Sequence, residues 1–178
     1  MSIRHMPRWL LGTALLWVAL GQAGCYSTQY SLGSPATASV DPALIGDYQT
    51  IADDAASATQ PAGMMAIRNI DGKQYYVEYS HAGDDHITRM VGFTVKIKDA
   101  LFAQLQDMPE DGSIPQDHLL MRIRVSDKKL SIQNLNDAFF KDKPIDSDAA
   151  LRAQIESNVN NPAMYEDEIL TATRIPSK

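Results

Sequence analysis

Residues 65–79 read MAIRNIDGKQYYVEY, and this stretch decides the fold. Tyr75, Val77 and Tyr79 alternate with more polar positions, and a period of two places one set of side chains on a buried face of a β-strand. The preceding Asp71-Gly72 predicts a tight hairpin turn, because such a turn needs a positive φ that glycine adopts at no steric cost. The stretch therefore predicts two antiparallel strands joined at Asp71-Gly72.

The same period of two recurs along the chain. Its apolar positions are Phe93, Val95 and Ile97, then Leu119, Met121, Ile123 and Val125, and then Leu130 and Ile132. Polar turns separate these runs at residues 82–85, 98–99 and 126–128, and a Thr- and Ile-rich run at residues 169–175 can close the sheet. We therefore expect an all-β domain of about seven to eight strands, built as an antiparallel curved sheet or a small up-and-down barrel.

One segment breaks the strand pattern and predicts a short helix at residues 147–157. Ser147 is a suitable N-cap, and Leu151 and Ile155 fall on one helical face four residues apart. Asp148 and Arg152 have the spacing of an ion pair on the helix surface. We expect this helix to be a minor element of the β domain.

The N-terminus has the three regions of an export signal. Arg4 and Arg8 provide a basic start, residues 9–20 form an uncharged and mostly apolar run, and small residues follow at positions 23–24. This order is that of a secretory signal peptide. The sole cysteine of the chain, Cys25, comes directly afterwards, and an odd cysteine in a secreted protein requires an explanation.

The four residues Gln22-Ala23-Gly24-Cys25 resemble the lipobox of bacterial lipoproteins. The resemblance implies that residues 1–24 are removed as a signal peptide and that Cys25 is lipidated, which anchors the protein to a membrane of the cell envelope. Tyr26 follows the cysteine, and a residue other than Asp at this position implies sorting to the outer membrane, facing the periplasm.

Two alternatives to lipidation stay open. The first is an ordinary secretory signal that is cut near Ala23 and leaves a free thiol. The second is an uncleaved membrane anchor, for which residues 9–24 are shorter than the roughly 20 apolar residues that a bilayer core requires.

Composition limits the partners of the exported part. Removing residues 1–24 takes away two basic residues and no acidic one, so the net charge falls from −6 to −8. An acidic domain binds nucleic acid poorly, because phosphate binding needs clustered Lys and Arg. No cysteine is left for an internal disulfide, so the fold depends on its core. We expect no nucleic-acid partner and no cofactor.

The exported chain divides into two regions. Residues 25–41 begin with the cysteine and are rich in Ser, Thr, Gly, Ala and Pro, which predicts a flexible tether. Residues 42–178 contain the predicted strands and helix, and they form the β domain.

The β domain resembles known proteins at both of its ends. Residues 44–48, Leu-Ile-Gly-Asp-Tyr, are similar to the first strand of lipocalin-like proteins. Gly-x-Trp is typical of that strand, and here Tyr48 stands in the place of the tryptophan. The course from Leu44 to Ile175, ending in Leu170-Thr171-Ala172-Thr173, is similar to a set of small envelope lipoproteins without an assigned activity. The resemblance implies a lipocalin-like fold and supports the fold more than a function.

Aromatic and aliphatic residues of the alternating runs are the candidates for a ligand cavity. An eight-stranded barrel is either packed solid or holds one small ligand, so the same residues could form a filled core. Tyrosine suits a cavity, since it joins a flat apolar body to a polar tip. The candidate cavity residues are Tyr75, Val77, Tyr79, Phe93, Ile123 and Ile132.

Candidate metal ligands and catalytic residues are weak. His81, Asp84, Asp85 and His86 form the densest group of side chains that suit a transition metal, but a polar hairpin tip has the same composition. Residues 126–129 have the Ser-x-x-Lys spacing, yet they lie between two predicted strands, whereas that chemistry needs one helical turn. We therefore predict no metal site and no catalytic residues.

Three functions fit these predictions. The first, which we favour, is a lipid-anchored envelope protein without enzymatic activity that binds a small apolar or amphipathic ligand. The second is a protein-interaction module, such as an envelope assembly accessory or an inhibitor or immunity protein of a periplasmic enzyme, with a solid core and an exposed segment such as residues 107–117. The third is a hydrolase in which His81, His86 or His118 faces carboxylates in a cleft.

Overall fold

The computed structural model describes residues 26–52, 63–113 and 115–176. Its strands are β1 (Ser27–Thr28), β2 (Gly46–Ala52), β3 (Gly63–Asn69), β4 (Tyr75–His81), β5 (Ile87–Ile97), β6 (Ala100–Asp107), β7 (His118–Ser126), β8 (Lys129–Leu135) and β9 (Tyr165–Arg174). Its helices are α1 (Asp137–Phe140) and α2 (Asp148–Asn158), with three short 3₁₀ helices at Pro35–Thr37, Pro42–Leu44 and Pro162–Met164.

Strands β2 to β9 form a closed barrel of eight antiparallel strands. Each strand pairs with the next in the chain, and β9 returns to pair with β2, for example at Tyr48 and Arg174. The predicted all-β class, with a small barrel and a minor helix, is confirmed. Strand β1 is a ninth, short strand that pairs with the first residues of β7, at Leu119 and His118.

The hairpin of β3 and β4 forms as predicted, with a five-residue connection at residues 70–74. Gly72 has φ +83°, a backbone conformation that residues with a side chain rarely adopt. Asp71 Oδ1 accepts hydrogen bonds of 2.9 Å from the backbone N–H groups of Lys73 and Gln74. These bonds stabilise the charged carboxylate and lower the pKa of Asp71. The loop is longer than the tight turn that Asp71-Gly72 alone predicts.

The two ends of the barrel differ. One end, which we call the closed end, carries the short connections at residues 70–74, 98–99 and 127–128. The 3₁₀ helix Pro42–Leu44 covers it, with Leu44 2% exposed against the interior. The opposite end, which we call the mouth, carries the longer connections at residues 82–86, 108–117 and 136–164.

Tyr48 and Arg174 hold the closed end together. The Tyr48 hydroxyl donates to the Leu44 carbonyl at 2.9 Å, and Arg174 donates to the Tyr48 hydroxyl oxygen at 2.9 Å and to the Ala43 carbonyl. The Arg174 guanidinium lies 5.5 Å from the centre of the Tyr48 ring, within range of a cation–π contact. The first and last barrel strands therefore fix the covering helix in place.

Helix α2 packs on the outer face of the barrel and creates a second core. It begins after the predicted N-cap Ser147, whose hydroxyl oxygen accepts from the Ala150 N–H at 3.2 Å. Leu151 and Ile155 are fully buried together with Phe102 and Leu120, which point outward from β6 and β7. The helix agrees with the predicted residues 147–157. The predicted surface pair Asp148–Arg152 instead binds the N-terminal segment.

Residues 26–41 pack on the barrel, so their prediction as a flexible tether is wrong. Tyr26 is 7% exposed and stacks on Phe140 with 4.2 Å between ring centres, while Leu32 is 2% exposed in the outer core. The many Ser, Gly and Ala residues of this segment are what predicts a tether. A few apolar side chains in such a segment are enough to bind it, because each buries its full surface against an existing face.

Gln104 binds this segment to the outer face of β6. Its side chain is 1% exposed, and its Oε1 accepts from the Leu32 N–H at 2.8 Å and from the Ser31 hydroxyl at 3.1 Å. Asp148 accepts from the Ser31 N–H at 2.8 Å, and Arg152 donates to the Leu32 carbonyl at 2.9 Å. Strand β6 and helix α2 therefore bind the same short stretch of backbone, at Ser31 and Leu32.

Replacing Gln104 by leucine is expected to loosen this segment while preserving its packing volume. The Leu32 N–H would lose its buried acceptor, which costs about 1–3 kcal/mol of stability. Part of this cost is offset because the change also removes Gln104 Nε2, a buried donor that has no partner among the described residues. We expect about 1 kcal/mol of lost stability and faster amide exchange at Leu32, measured by urea unfolding and hydrogen exchange. Gln106→Leu, the same change further along β6, is the control and is expected to leave exchange at Leu32 unchanged.

Candidate ligand cavity

The interior of the barrel contains an apolar cavity with two parts. The wider part, of about 340 Å³, lies towards the mouth, and the narrower part, of about 40 Å³, lies towards the closed end. Five apolar side chains line both parts, so the narrow part continues the wide one inward. These shared residues are Met65, Val77, Leu105, Met121 and Ile132.

Strand pairing explains why these side chains point inward. Val77 of β4 pairs directly with Ile67 and Met90, and directly paired residues share one face of a sheet. Ile132 of β8 pairs in the same way with Ile123 and Leu170. The alternation read from the sequence thus turns one apolar set per strand towards the axis of the barrel.

Polar groups lie at the mouth, above the apolar wall. Tyr79 and His81, at the end of β4, line the wide part, with 3.3 Å between the Tyr79 hydroxyl and His81 Nδ1 and 4.7 Å between the ring centres. Asn134 of β8 lines the same part, and β8 is four strands away from β4 in a ring of eight. The mouth therefore has polar groups on opposite walls.

Thr50 is a buried polar residue on the interior face of β2. It is 0% exposed, it pairs with the interior residue Ala172, and its hydroxyl has no hydrogen-bond partner within the described ranges. An unpaired buried hydroxyl is uncommon in folded proteins. It adds a polar group to an otherwise apolar interior.

The structure places five of the six predicted cavity residues at the interior. Val77 and Ile132 line both parts, Tyr79 lines the wide part, and Ile123 and Tyr75 line the narrow part. Tyr75 is 3% exposed, and its hydroxyl oxygen accepts from the Asp41 N–H at 2.6 Å, so it serves the closed end.

Phe93 lies differently from the other predicted residues. It borders the narrow part, but its pairing partner is Gln104, whose side chain is on the outer face. A Cβ placed on Gly33 of the N-terminal segment would lie 3.7 Å from the Phe93 ring. The Phe93–Val95–Ile97 alternation does form one buried face, but that face lies under the N-terminal segment and not inside the barrel.

Several cavity residues were not predicted from the sequence. Met90, Leu105 and Leu170 line the wide part, as do Met65 and Asn134. Met90 shares its face with Gly92 and Thr94, so the inward face of β5 looks less apolar than the outward one. The assignment of Leu105 to the interior depends on the pairing of β6 with β5 and β7.

The predicted metal candidates do not form a site. His81 contacts Tyr79, and Asp84 accepts from the backbone N–H of His86 at 2.9 Å, as in a polar turn. Among the described residues, no group of three or more His, Cys, Asp or Glu side chains lies close enough to hold a metal ion. The loop of Asp84, Asp85 and His86 is exposed to solvent.

His118 lies at the start of β7, where it pairs with Thr28. Burial lowers its pKa from the usual 6.5, and the nearby carboxylates of Asp117 and Asp148 oppose this effect. The cavity walls described above do not include it or His86. The prediction that the protein is not an enzyme stays a prediction.

Comparisons with protein-family models, curated proteins and solved structures gave no match in any of the three. The described part of the chain has no helix that is long and apolar enough to cross a membrane. The predicted lipobox at residues 22–25, with Cys25, lies outside the described residues.

Proposed function

We propose that this protein is a lipid-anchored protein of the cell envelope that binds a small apolar or amphipathic ligand inside its barrel. The signal peptide at residues 1–24 would be removed, Cys25 would carry the lipid, and the domain would face the periplasm from the outer membrane. The lipobox at residues 22–25 supports the anchor, and the cavity supports the binding role.

The observation that carries the binding role is the wide cavity. Its volume of about 340 Å³ is at the lower end of the roughly 300–1,000 Å³ that is typical of ligand sites. Its walls are apolar and its rim carries Tyr79, His81 and Asn134. Burying apolar surface gains about 0.8 kcal/mol per methylene group, so an alkyl chain of modest length is a suitable occupant.

Native mass spectrometry of the full chain, purified from the envelope, tests this proposal. We expect a species of a few hundred daltons that leaves the protein only on denaturation, since drug-sized ligands of this mass bury most of their surface in such cavities. A bare chain that also fails to take up a fluorescent single-chain fatty acid would contradict ligand binding. It would instead favour the protein-interaction module.

A further inference from the structure

The chain enters the barrel next to the mouth. The Tyr26 N–H donates to the Leu135 carbonyl at 3.1 Å, and the Leu120 N–H donates to the Tyr26 carbonyl at 3.5 Å. Leu135 is the last residue of β8, directly after Asn134 of the mouth, and Leu120 is the third residue of β7. Tyr26 therefore lies within one or two residues of the rim, far from the closed end.

There is little slack between Cys25 and this position. Tyr26 is buried against Phe140, and the next two residues pair with β7 as strand β1. A residue spans at most about 3.6 Å, so a lipid on Cys25 begins within a few ångströms of the position of Tyr26 on the barrel. The lipid anchor would hold the mouth end of the barrel close to the membrane surface.

A stripe of exposed apolar side chains lies on the other side of the same end. Met64 and Ile87 are 46% and 41% exposed, and both pair directly with Ser80, so they flank it on one outer face. Met108 is 45% exposed and lines a surface groove together with Ile87. These three residues, Met64, Ile87 and Met108, form what we call the rim stripe.

Rim stripe and anchor lie on different sides of the mouth. The stripe belongs to β3, β5 and the first residue after β6, whereas Tyr26 lies between β7 and β8. Contacts on both sides would seat the mouth on the bilayer. The closed end also exposes Ile70, Val125 and Ile175, but Tyr26, and with it the proposed anchor, lies at the opposite end.

We propose that the mouth of the barrel faces the membrane and that the ligand is a lipid acyl chain taken from the adjoining leaflet. This inference rests on the proposed function, since it needs both the lipid on Cys25 and the ligand cavity. The alkyl chain lies along the apolar wall, and the polar end of the lipid stays at Tyr79, His81 and Asn134. The bilayer is then the source of the ligand, with no path through water.

The charge of the mouth sets the kind of membrane it fits. The mouth connections at residues 82–86 and 108–117 carry Asp84, Asp85, Glu110 and Asp111 and no Lys or Arg, and in the connection at residues 136–164 acidic residues outnumber basic ones, so the mouth repels an anionic surface. The rim stripe contributes apolar contact and no positive charge. We therefore expect the mouth to approach zwitterionic lipid more closely than anionic lipid.

Fluorescence quenching on the lipidated full chain in phosphatidylcholine vesicles tests the orientation. Asp85→Cys places a label at the mouth and Lys73→Cys places one at the closed end, roughly 20 Å further away along the tilted strands. With Cys25 blocked by lipid, each new cysteine is the sole free thiol. Lipid headgroups that carry a nitroxide are expected to quench the label at residue 85 severalfold more than the label at residue 73.

Matched variants separate the rim stripe from general hydrophobicity. Ile87→Glu with Met108→Glu is expected to abolish the stronger quenching at residue 85, whereas Ile70→Glu with Val125→Glu at the closed end is expected to preserve it. Anionic lipid is expected to weaken the quenching at residue 85. Quenching that is equal at both labels, or stronger at residue 73, would overturn the inference.

The outcomes distinguish the inference from the proposed function. A free thiol at Cys25 in the unmodified protein means that the anchor is absent, and then both fall. A blocked Cys25, a bound lipid by mass spectrometry and quenching at the closed end leave the proposed function standing and overturn the orientation. A blocked Cys25 and a quenched mouth without any bound lipid support the orientation and overturn the acyl-chain ligand.

Discussion

Replacing Ile132 by tryptophan is expected to reduce ligand binding at least tenfold, a loss of about 1.4 kcal/mol or more. Ile132 lines both the wide and the narrow parts of the cavity, and it is only partly buried because it faces that space. An indole at this position would occupy the space where the two parts meet. Because the ring enters a cavity and not a filled core, we expect a stability loss of about 1 kcal/mol or less.

The measurement combines binding of a fluorescent single-chain fatty acid with thermal unfolding of the same sample. Ile70→Trp is the matched control, since Ile70 is 53% exposed in the connection at the closed end and does not line the cavity. It is expected to bind as the unmodified protein does. Undiminished binding by a folded Ile132→Trp protein would show that the ligand site is not in the barrel.

The sequence is informative about the fold because most strands keep one wet face. Tyr75 and Val77 of β4 alternate with polar positions, and β8 shows the same alternation around Ile132. Hairpin connections join most of these strands to their neighbours. Local alternation therefore predicts an antiparallel sheet, which is either curved or closed into a small barrel. Closure of the barrel by β9 and β2 is a long-range pairing, and no local pattern specifies it.

Strand β5 shows where alternation stops being sufficient. Its outward face carries Phe93 and Val95, which are covered by residues 26–41 and the outer core, while its inward face carries Gly92 and Thr94. A strand buried on both faces has no wet side, so the more apolar face is not necessarily the interior one. The position of Phe93 and the packing of residues 26–41 depart from the predictions for one shared reason, because the predicted tether is what covers Phe93.

The candidate site was predictable only in part for a related reason. The apolar residues of the cavity could be recognised as buried, but burial in a filled core and burial around a cavity have the same sequence pattern. The difference depends on how well the side chains of eight strands fill the space between them. Met65, Met90 and Met121 lie around that space, and methionine packs irregularly and adapts to different contents.

Replacing Gly92 by alanine is expected to destabilise the barrel strongly. Gly92 pairs with Tyr75 on one side and Leu105 on the other. A Cβ at residue 92 would lie 2.0 Å from the carbonyl oxygen of Gln104 and 2.8 Å from Leu105 Cδ2, both closer than real Cβ contacts. The Gln104 carbonyl belongs to the backbone and cannot rotate away, so β5 and β6 would have to separate.

This separation would disturb both cores of the protein at once. Inside the barrel it would displace Leu105 from the cavity wall, and outside it would shift Gln104, which binds the Leu32 N–H. We expect about 3 kcal/mol or more of lost stability in urea unfolding, which is large for a single methyl group. Ligand binding would fall as well, because the cavity wall and the fold share this strand pair.

Gly33→Ala is the matched control for this change. A Cβ at residue 33 would meet Val95 Cγ2 at 3.1 Å and the Phe93 ring at 3.7 Å, and both neighbours are side chains that can shift. We expect less than about 1 kcal/mol of destabilisation, in the range of ordinary surface substitutions. If the two alanine variants lost equal stability, β5 and β6 would not approach each other at Gly92 as closely as their register requires. The curvature of the barrel would then need an origin other than Gly92.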